Sequence, residues 1–309
     1  MTAPPVGESG RVGPGGAGGV LGLFPGLAAS VPGMGRRWSS SAAANRTFDA
    51  FSASSGLDVR WLACDAPGEV LRLDRNREVA TVATEMAAAA AYAEGGGRLD
   101  AVLGFSIGAY AALAGAGVIS VEQIVAMIDA VLGGCLSLDG SFAMAAVIGL
   151  PHDLVEAECR RGGVEMAARL AAGQTLVAGP AREMDAFRAA LEDKALRVVA
   201  LDVRWPLHTS HMAPAARGLE AMRESLGALR APAVPVYSLY HGSAIGSARE
   251  AWELLVGHLC HEQRLDVALS ACRSAGLTRF VELGPGETLS RAARWMLRGA
   301  SSASDAAAL

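Results

Sequence analysis

The chain has 309 residues, 51% of them hydrophobic, enough for one large domain or a domain carrying a smaller insertion. A net charge of −4 gives a nucleic-acid partner no bulk electrostatic support. No apolar run of membrane-spanning length goes uninterrupted by charge, Gly or Pro, so no membrane partner is expected. Five scattered cysteines (Cys64, Cys135, Cys159, Cys260, Cys272), odd in number and without a C-x-x-C pair, predict reduced thiols in a cytoplasmic protein rather than disulfides or zinc. Residues 1–17 are Gly/Pro-rich, lack the basic-then-apolar order of a signal peptide, and read as a disordered leader. "GGVLGLFPG" (18–26) predicts a strand ending in a tight turn. Segment 36–56 holds helix formers, and "LDVRWLACDA" (57–66) reads as a second strand or an edge. A helical segment, "REVATVATEMAAAAAYAEGG", leads to a strand at 99–104 and a helix from Ile107 to Ala116, then another opened by Ser120 as N-cap. Strands in 141–150, 163–179 and 195–203, with helices at 151–161 and 180–193, give a β-α-β-β-α-β run of roughly ferredoxin-like order. Alternation resumes with a strand in 231–240, a helix at 248–274, a strand at 279–286 and a last helix at 287–298, before a frayed end. The predicted fold class is α/β: a parallel core interrupted by a small α+β insertion.

Within "LDAVLGFSIGAYAALAGAG" (99–117), Ser106 stands between two glycines where the strand becomes a helix. A serine hydroxyl is a poor nucleophile until a base takes its proton and amide N–H groups await the oxyanion. A strand–Gly-x-Ser-x-Gly–helix turn supplies half of this: the glycines permit the sharp turn, the serine projects from it, and the next N–H faces the reacting carbonyl. The base must come from six histidines. His208 lies in "VRWPLHTSHMAPAA", where an extended Trp-Pro segment would deliver a side chain to a strand end, while His152 starts a surface helix and His258 and His261 sit on a helix. Periodicity does not choose among them. No metal cluster or phosphate loop is present in the pattern, and no bound cofactor is expected.

Six motifs, in order, carry a resemblance: "LFPG", "GFSIGAYAALAGAGVIS", "FAMAAVIGL", "GQTLVAGPAREMDAF", "RWPLHTSHMAPAA" and "FVELGPGETLSRAARW". Together they resemble the malonyl-CoA:acyl-carrier-protein transacylases and the acyltransferase domains of polyketide synthases, over about 18–298. The resemblance implies an α/β-hydrolase-like parallel-sheet subdomain (18–134 and 203–299), an inserted ferredoxin-like subdomain (135–202) and a flexible tail (300–309). It implies a Ser–His dyad of Ser106 and His208, with an oxyanion hole from the backbone N–H groups of Leu27 and Ile107. It also implies that His258 stands where a backbone carbonyl orients the histidine, and that His211 is a rim or structural residue.

Three departures bear on the substrate. Leu27 follows Phe24-Pro25-Gly26 where the family has glutamine, and Phe105 replaces the usual histidine before the serine, reshaping the pocket. Malonyl-type relatives hold the free carboxylate with an arginine twenty-five positions after the serine, a count that lands here on Val131. Arg204 is the other arginine that could reach in. Trp205 begins the substrate-selective tetrapeptide and implies an apolar pocket. The expected activity is therefore transfer of a non-carboxylated acyl group, aminoacyl and peptidyl groups included, between thioesters of acyl carrier protein or CoA. The setting implied is polyketide-type secondary metabolism, antibiotic biosynthesis included. An editing thioester hydrolase of the same fold is the alternative, and a non-catalytic scaffold would leave the dyad unused. The partner is an acidic carrier protein met by a monomer, with Arg204, Arg291, Arg294 and Arg298 as candidate contacts.

Overall fold

The structure, a computed structural model, describes residues 18–296 and 301–302. The leader, Arg298 and most of the expected tail lie outside the described residues. In chain order the first elements are β1 (Gly19–Phe24), α1 (Ala42–Ser55), α2 (Val59–Cys64), α3 (Gly68–Leu71), α4 (Asp74–Glu94), β2 (Ala101–Gly104), α5 (Gly108–Gly115) and α6 (Val121–Cys135). Next come β3 (Phe142–Ile148), α7 (His152–Gly162), β4 (Glu165–Ala171), β5 (Gln174–Pro180), α8 (Ala181–Ala190) and β6 (Arg197–Ala200). The last stretch holds α9 (Ala213–Ala221), β7 (Val236–Ser238), β8 (Ser243–Ile245), α10 (Ala248–Cys260), β9 (Gln263–Arg264), α11 (Leu265–Ser274), β10 (Leu277–Glu282), α12 (Thr288–Met296) and β11 (Ser301–Ser302).

One sheet has the order β11-β10-β1-β2-β7-β8, parallel except for the β7–β8 hairpin. Its central strands β1 and β2 are buried at every position, as apolar runs covered on both faces should be. The other sheet has the order β6-β3-β5-β4-β9, whose first four strands are antiparallel neighbours in the ferredoxin-like arrangement. β9 joins it in parallel beside β4, so a strand from the chain's last third closes an edge of the inserted sheet. Among the described residues no helix is long and apolar enough to cross a membrane, and the cysteines are unpaired.

Two expected elements differ. Residues 57–66 form no strand: Asp58 caps α2 by accepting the Trp61 N–H at 3.0 Å, and the helix buries Val59, Leu62, Ala63 and Cys64. The helix expected over 248–274 breaks at 261–264. There the Gln263 side-chain amide donates to the carbonyls of His258 (3.3 Å) and His261 (3.2 Å), and the Arg264 N–H bonds Leu239. Ser120 does cap α6, with a full capping box to Gln123.

Candidate active site

Phe24 and Gly104, the last residues of β1 and β2, are partners across the sheet, so the two following turns leave the same strand ends side by side. The turns are locked together: the Phe105 N–H donates to the Phe24 carbonyl at 2.8 Å. A Cβ on Gly108 would fall 2.3 Å from the Phe24 carbonyl oxygen, and one on Gly104 would fall 2.2 Å from that of Gly108. Both flanking glycines of the pentapeptide are thus demanded by backbone contact rather than by flexibility. Ser106 sits at φ 56°, a left-handed conformation costly for a residue with a Cβ, which lifts its side chain out of the turn.

His208 takes the same uncommon conformation, at φ 65°. Its backbone N–H donates to the Leu259 carbonyl at 2.9 Å, and its Nδ1 lies 2.6 Å from the His258 carbonyl oxygen. A carbonyl only accepts, so the ring proton belongs on Nδ1 and Nε2 is bare. That bare Nε2 lies 3.0 Å from Ser106 Oγ. Both residues are buried, at 8% and 4% exposure. Burial, then the neighbouring His258, pushes the His208 imidazole down to about 3, against the pull of the His258 carbonyl. His208 is therefore neutral across the working pH range.

The N–H groups of Leu27 and Ile107 find no acceptor among the described residues. Gly26 (φ 68°) sets Leu27 against the Ser106 turn, because a Cβ there would meet the Phe105 carbonyl at 2.3 Å. The Gly26 N–H is held from behind by Glu85 Oε1 at 2.5 Å. Burial, only partly offset by that N–H, raises the Glu85 carboxyl well above the usual carboxylate range. A cleft of about 570 Å³ opens beside His208, lined by Met166 and Glu165 of β4 together with Ser210, His261 and Glu262. Glu165 accepts the Ser210 N–H at 2.8 Å and also its hydroxyl, tying the inserted sheet to the histidine loop.

No protein-family model matches the chain. It is 30% identical over 283 residues to the malonyl CoA-acyl carrier protein transacylase of Mycobacterium bovis, covering 90% of this chain and 93% of that protein. The chain belongs to the malonyl-CoA:acyl-carrier-protein transacylase family. The Bacillus subtilis protein of the same name is 29% identical over 283 residues, with 87% of each chain covered. An acyl-carrier-protein S-malonyltransferase from Burkholderia pseudomallei superposes with a TM-score of 0.87 at 25% identity, over 92% of this chain and 95% of that one. A malonyl-transacylase solved in complex with its type II polyketide synthase acyl-carrier protein gives 0.86 at 26% identity, over 92% and 95%. The protein is an acyltransferase of mixed α/β fold.

In this acyltransferase Val131 lies on α6, 7% exposed, in the same apolar cluster as Ile107, Trp205 and Met212. Phe105 is buried with its ring 6.2 Å from that of His208. Arg204 does not reach inward: its side chain is 67% exposed, its guanidinium lies 4.5 Å over the Trp205 ring, and it approaches Asp74 at 3.8 Å. Arg291 and Arg294 both pair with Glu287, at 3.2 and 3.3 Å. His211 sits 3.6 Å from Glu165 with its ring 5.3 Å from that of Phe142. His152 is not a plain surface residue, since its Nδ1 meets the Thr175 hydroxyl at 2.7 Å. Among the described residues no cluster of three or more His, Cys, Asp or Glu could hold a metal.

Glu85 escapes motif reasoning, although a lone acid in "ATVATEMAAAAA" is the signal that would find it. E85A should leave the Gly26 N–H unsatisfied, costing about 1–3 kcal/mol and loosening the Leu27 loop. E85Q keeps an acceptor for that N–H. Because Glu85 keeps in the folded chain a proton that the unfolded chain releases, its own contribution to stability is lost as pH rises above the ordinary glutamate value. E85Q should flatten that decline. Denaturant midpoints against pH test both, and an unchanged alkaline slope in E85Q would assign it to another group.

Proposed function

We propose that this acyltransferase moves a non-carboxylated acyl group between thioester carriers by a Ser106–His208 ping-pong mechanism. Ser106 Oγ attacks the thioester carbonyl as His208 Nε2 takes its proton, and the oxyanion is received by the N–H groups of Leu27 and Ile107. Collapse breaks the C–S bond, and the proton on Nε2 passes to the departing pantetheine sulfur. An incoming carrier thiol then gives its proton to Nε2 and repeats the steps in reverse order. No metal or bound cofactor enters this scheme. The pantetheine arm has its path in the cleft beside His208. The carrier is an acyl carrier protein, as for the transacylase solved with one, with CoA as the other thioester. Arg204 and the last helix, Arg294 included, offer it a basic face. The setting is polyketide-type biosynthesis in the cytoplasm.

The observation that supports the substrate reading is Val131, buried among apolar side chains, at the position where the resemblance implies a carboxylate-binding arginine in malonyl-type relatives. Seating malonate's carboxylate there forfeits a bidentate charge-assisted pair and desolvates an ion, at a cost on the order of several kcal/mol. At about 1.4 kcal/mol per tenfold, acyl groups without a carboxylate should be preferred a hundredfold or more in kcat/KM. Competing malonyl and butyryl thioesters, with the acyl-enzyme resolved by intact mass, test this; preferential malonylation of Ser106 would overturn it. Adding holo carrier protein separates transfer from editing. Acyl carrier should accumulate faster than free acid, and the reverse order would make the protein a hydrolase.

A further inference from the structure

Helix α4 places a second carboxyl close to the site. Glu78, Thr81 and Glu85 share one face of it, and Thr81 and Glu85 are fully buried. Glu85 marks the oxyanion end of that face through its bond to the Gly26 N–H. Glu78 lies two turns earlier, about 10 Å along the axis. There α4 is stitched to the histidine loop: the Arg77 guanidinium donates to the Asp202 carbonyl at 2.9 Å and Arg204 approaches Asp74 at 3.8 Å. Helix α4 also packs against α5, which begins two residues past Ser106, and against α6, which carries Val131. Arg75 of α4 meets Asp129 of α6, two residues before Val131, so Glu78, one turn past Asp74 and Arg75, lies where α6 and the Trp205 loop meet α4.

The groups there lack partners. Glu78 makes no hydrogen bond or ion pair with any described residue, whereas its neighbour Asp129 is engaged by Arg75 at 2.6 Å. The indole N–H of Trp205, a residue only 9% exposed, likewise has no acceptor. Apolar packing that has a valine in the arginine's place, with a carboxyl lacking an ion-pair partner on the neighbouring helix, is mismatched to an anion and matched to a cation.

We propose that the acyl group carries a cationic amine and that Glu78 is the carboxyl that selects it; the inference rests on the non-carboxylated acyl transfer argued above. The Trp205 N–H is then free to donate to an acceptor atom of the same acyl group. Burial first, then Asp74, pushes the Glu78 carboxyl up to about 8, and an ammonium beside it would hold it ionised.

β-Alanyl and butyryl pantetheine thioesters have the same heavy-atom count and differ in terminal ammonium against methyl, and malonyl pantetheine supplies the anion. With the full chain at pH 7 and intact-mass detection of acylated Ser106, β-alanyl should outcompete butyryl by about tenfold or more, the value of one partly buried ion pair. E78Q should bring that ratio toward one. Equal or faster butyrylation of the wild type would overturn the cationic substrate while leaving the parent reading intact. Malonyl prevailing over both would overturn the parent reading itself. An unchanged ratio in E78Q would remove Glu78 as the selector. The wild-type competition is decisive by itself if E78Q does not fold.

Discussion

Replacing Ser106 by alanine is expected to abolish the covalent acyl-enzyme and to lower transfer by about 10⁴- to 10⁶-fold. The size of the loss follows from what remains. The Leu27 and Ile107 N–H groups would still polarise a bound thioester, but no protein oxygen stands at the tip of the turn to receive the acyl group. The fold should survive. Alanine keeps the Cβ that already tolerates φ 56°, and the Phe105–Phe24 bond and the Gly104 and Gly108 contacts do not involve the hydroxyl. A melt within a few degrees of wild type, no acyl adduct by intact mass, and residual turnover near background is the expected pattern. An adduct of unchanged mass on S106A would place the nucleophile elsewhere.

How much of this was legible in the sequence divides along physical lines. The buried strands β1 and β2 were readable because a sheet covered on both faces demands continuous apolar runs. The tight strand-to-helix turn at Ser106 was readable because close backbone approach leaves glycine no substitute at Gly104 and Gly108. Helix α2 was misread since a six-residue element whose Val, Trp and Leu suit a strand is decided by one cap, the Asp58 carboxylate. The break after α10 was invisible for a related reason. It depends on the Gln263 amide finding two carbonyls and on β9 finding β4, contacts made only once the chain has folded. The choice of His208 over the other histidines needed the family resemblance. No local pattern reports a carbonyl that lies fifty residues away in sequence. Glu78 and Glu85 do not stand out in the sequence because carboxyls on a helix ordinarily mean a solvated face, and the burial of Glu85 arises from the helices and the Gly26 turn packed on α4.

His208→Ala should cost transfer about 10³-fold or more, whereas His258→Ala should cost no more than about tenfold. The contrast rests on which atoms act. His208 offers Nε2 to Ser106 at 3.0 Å, and alanine removes the base outright. His258 offers its backbone carbonyl, 2.6 Å from His208 Nδ1, which alanine retains. Its own ring bonds the Leu254 carbonyl at 3.0 Å, packs edge-on to Tyr110 and lies 5.9 Å from the His208 ring, so truncation loosens the support without removing it. The pH dependence gives an independent check. With the His208 imidazole pushed down to about 3 by burial, the base stays unprotonated throughout the ordinary imidazole range, and kcat/KM should show no acid limb near 6.5. Stability moves in that range instead. His258 is likewise pushed down to about 4 by burial, so the unfolded chain binds protons that the folded chain does not. These two histidines' contribution is complete above 6.5 and is lost as pH falls toward 3 to 4. Below about 4.5, where the raised Glu78 and Glu85 carboxyls are protonated in both states, the histidine loss is unopposed, and activity should fall there by unfolding, with the loss of rate tracking the loss of near-UV dichroism. A reversible acid limb at the usual histidine value in fully folded enzyme would overturn this account of the base. So would a His258→Ala defect as large as that of His208→Ala, since it would move the proton transfer to the second ring.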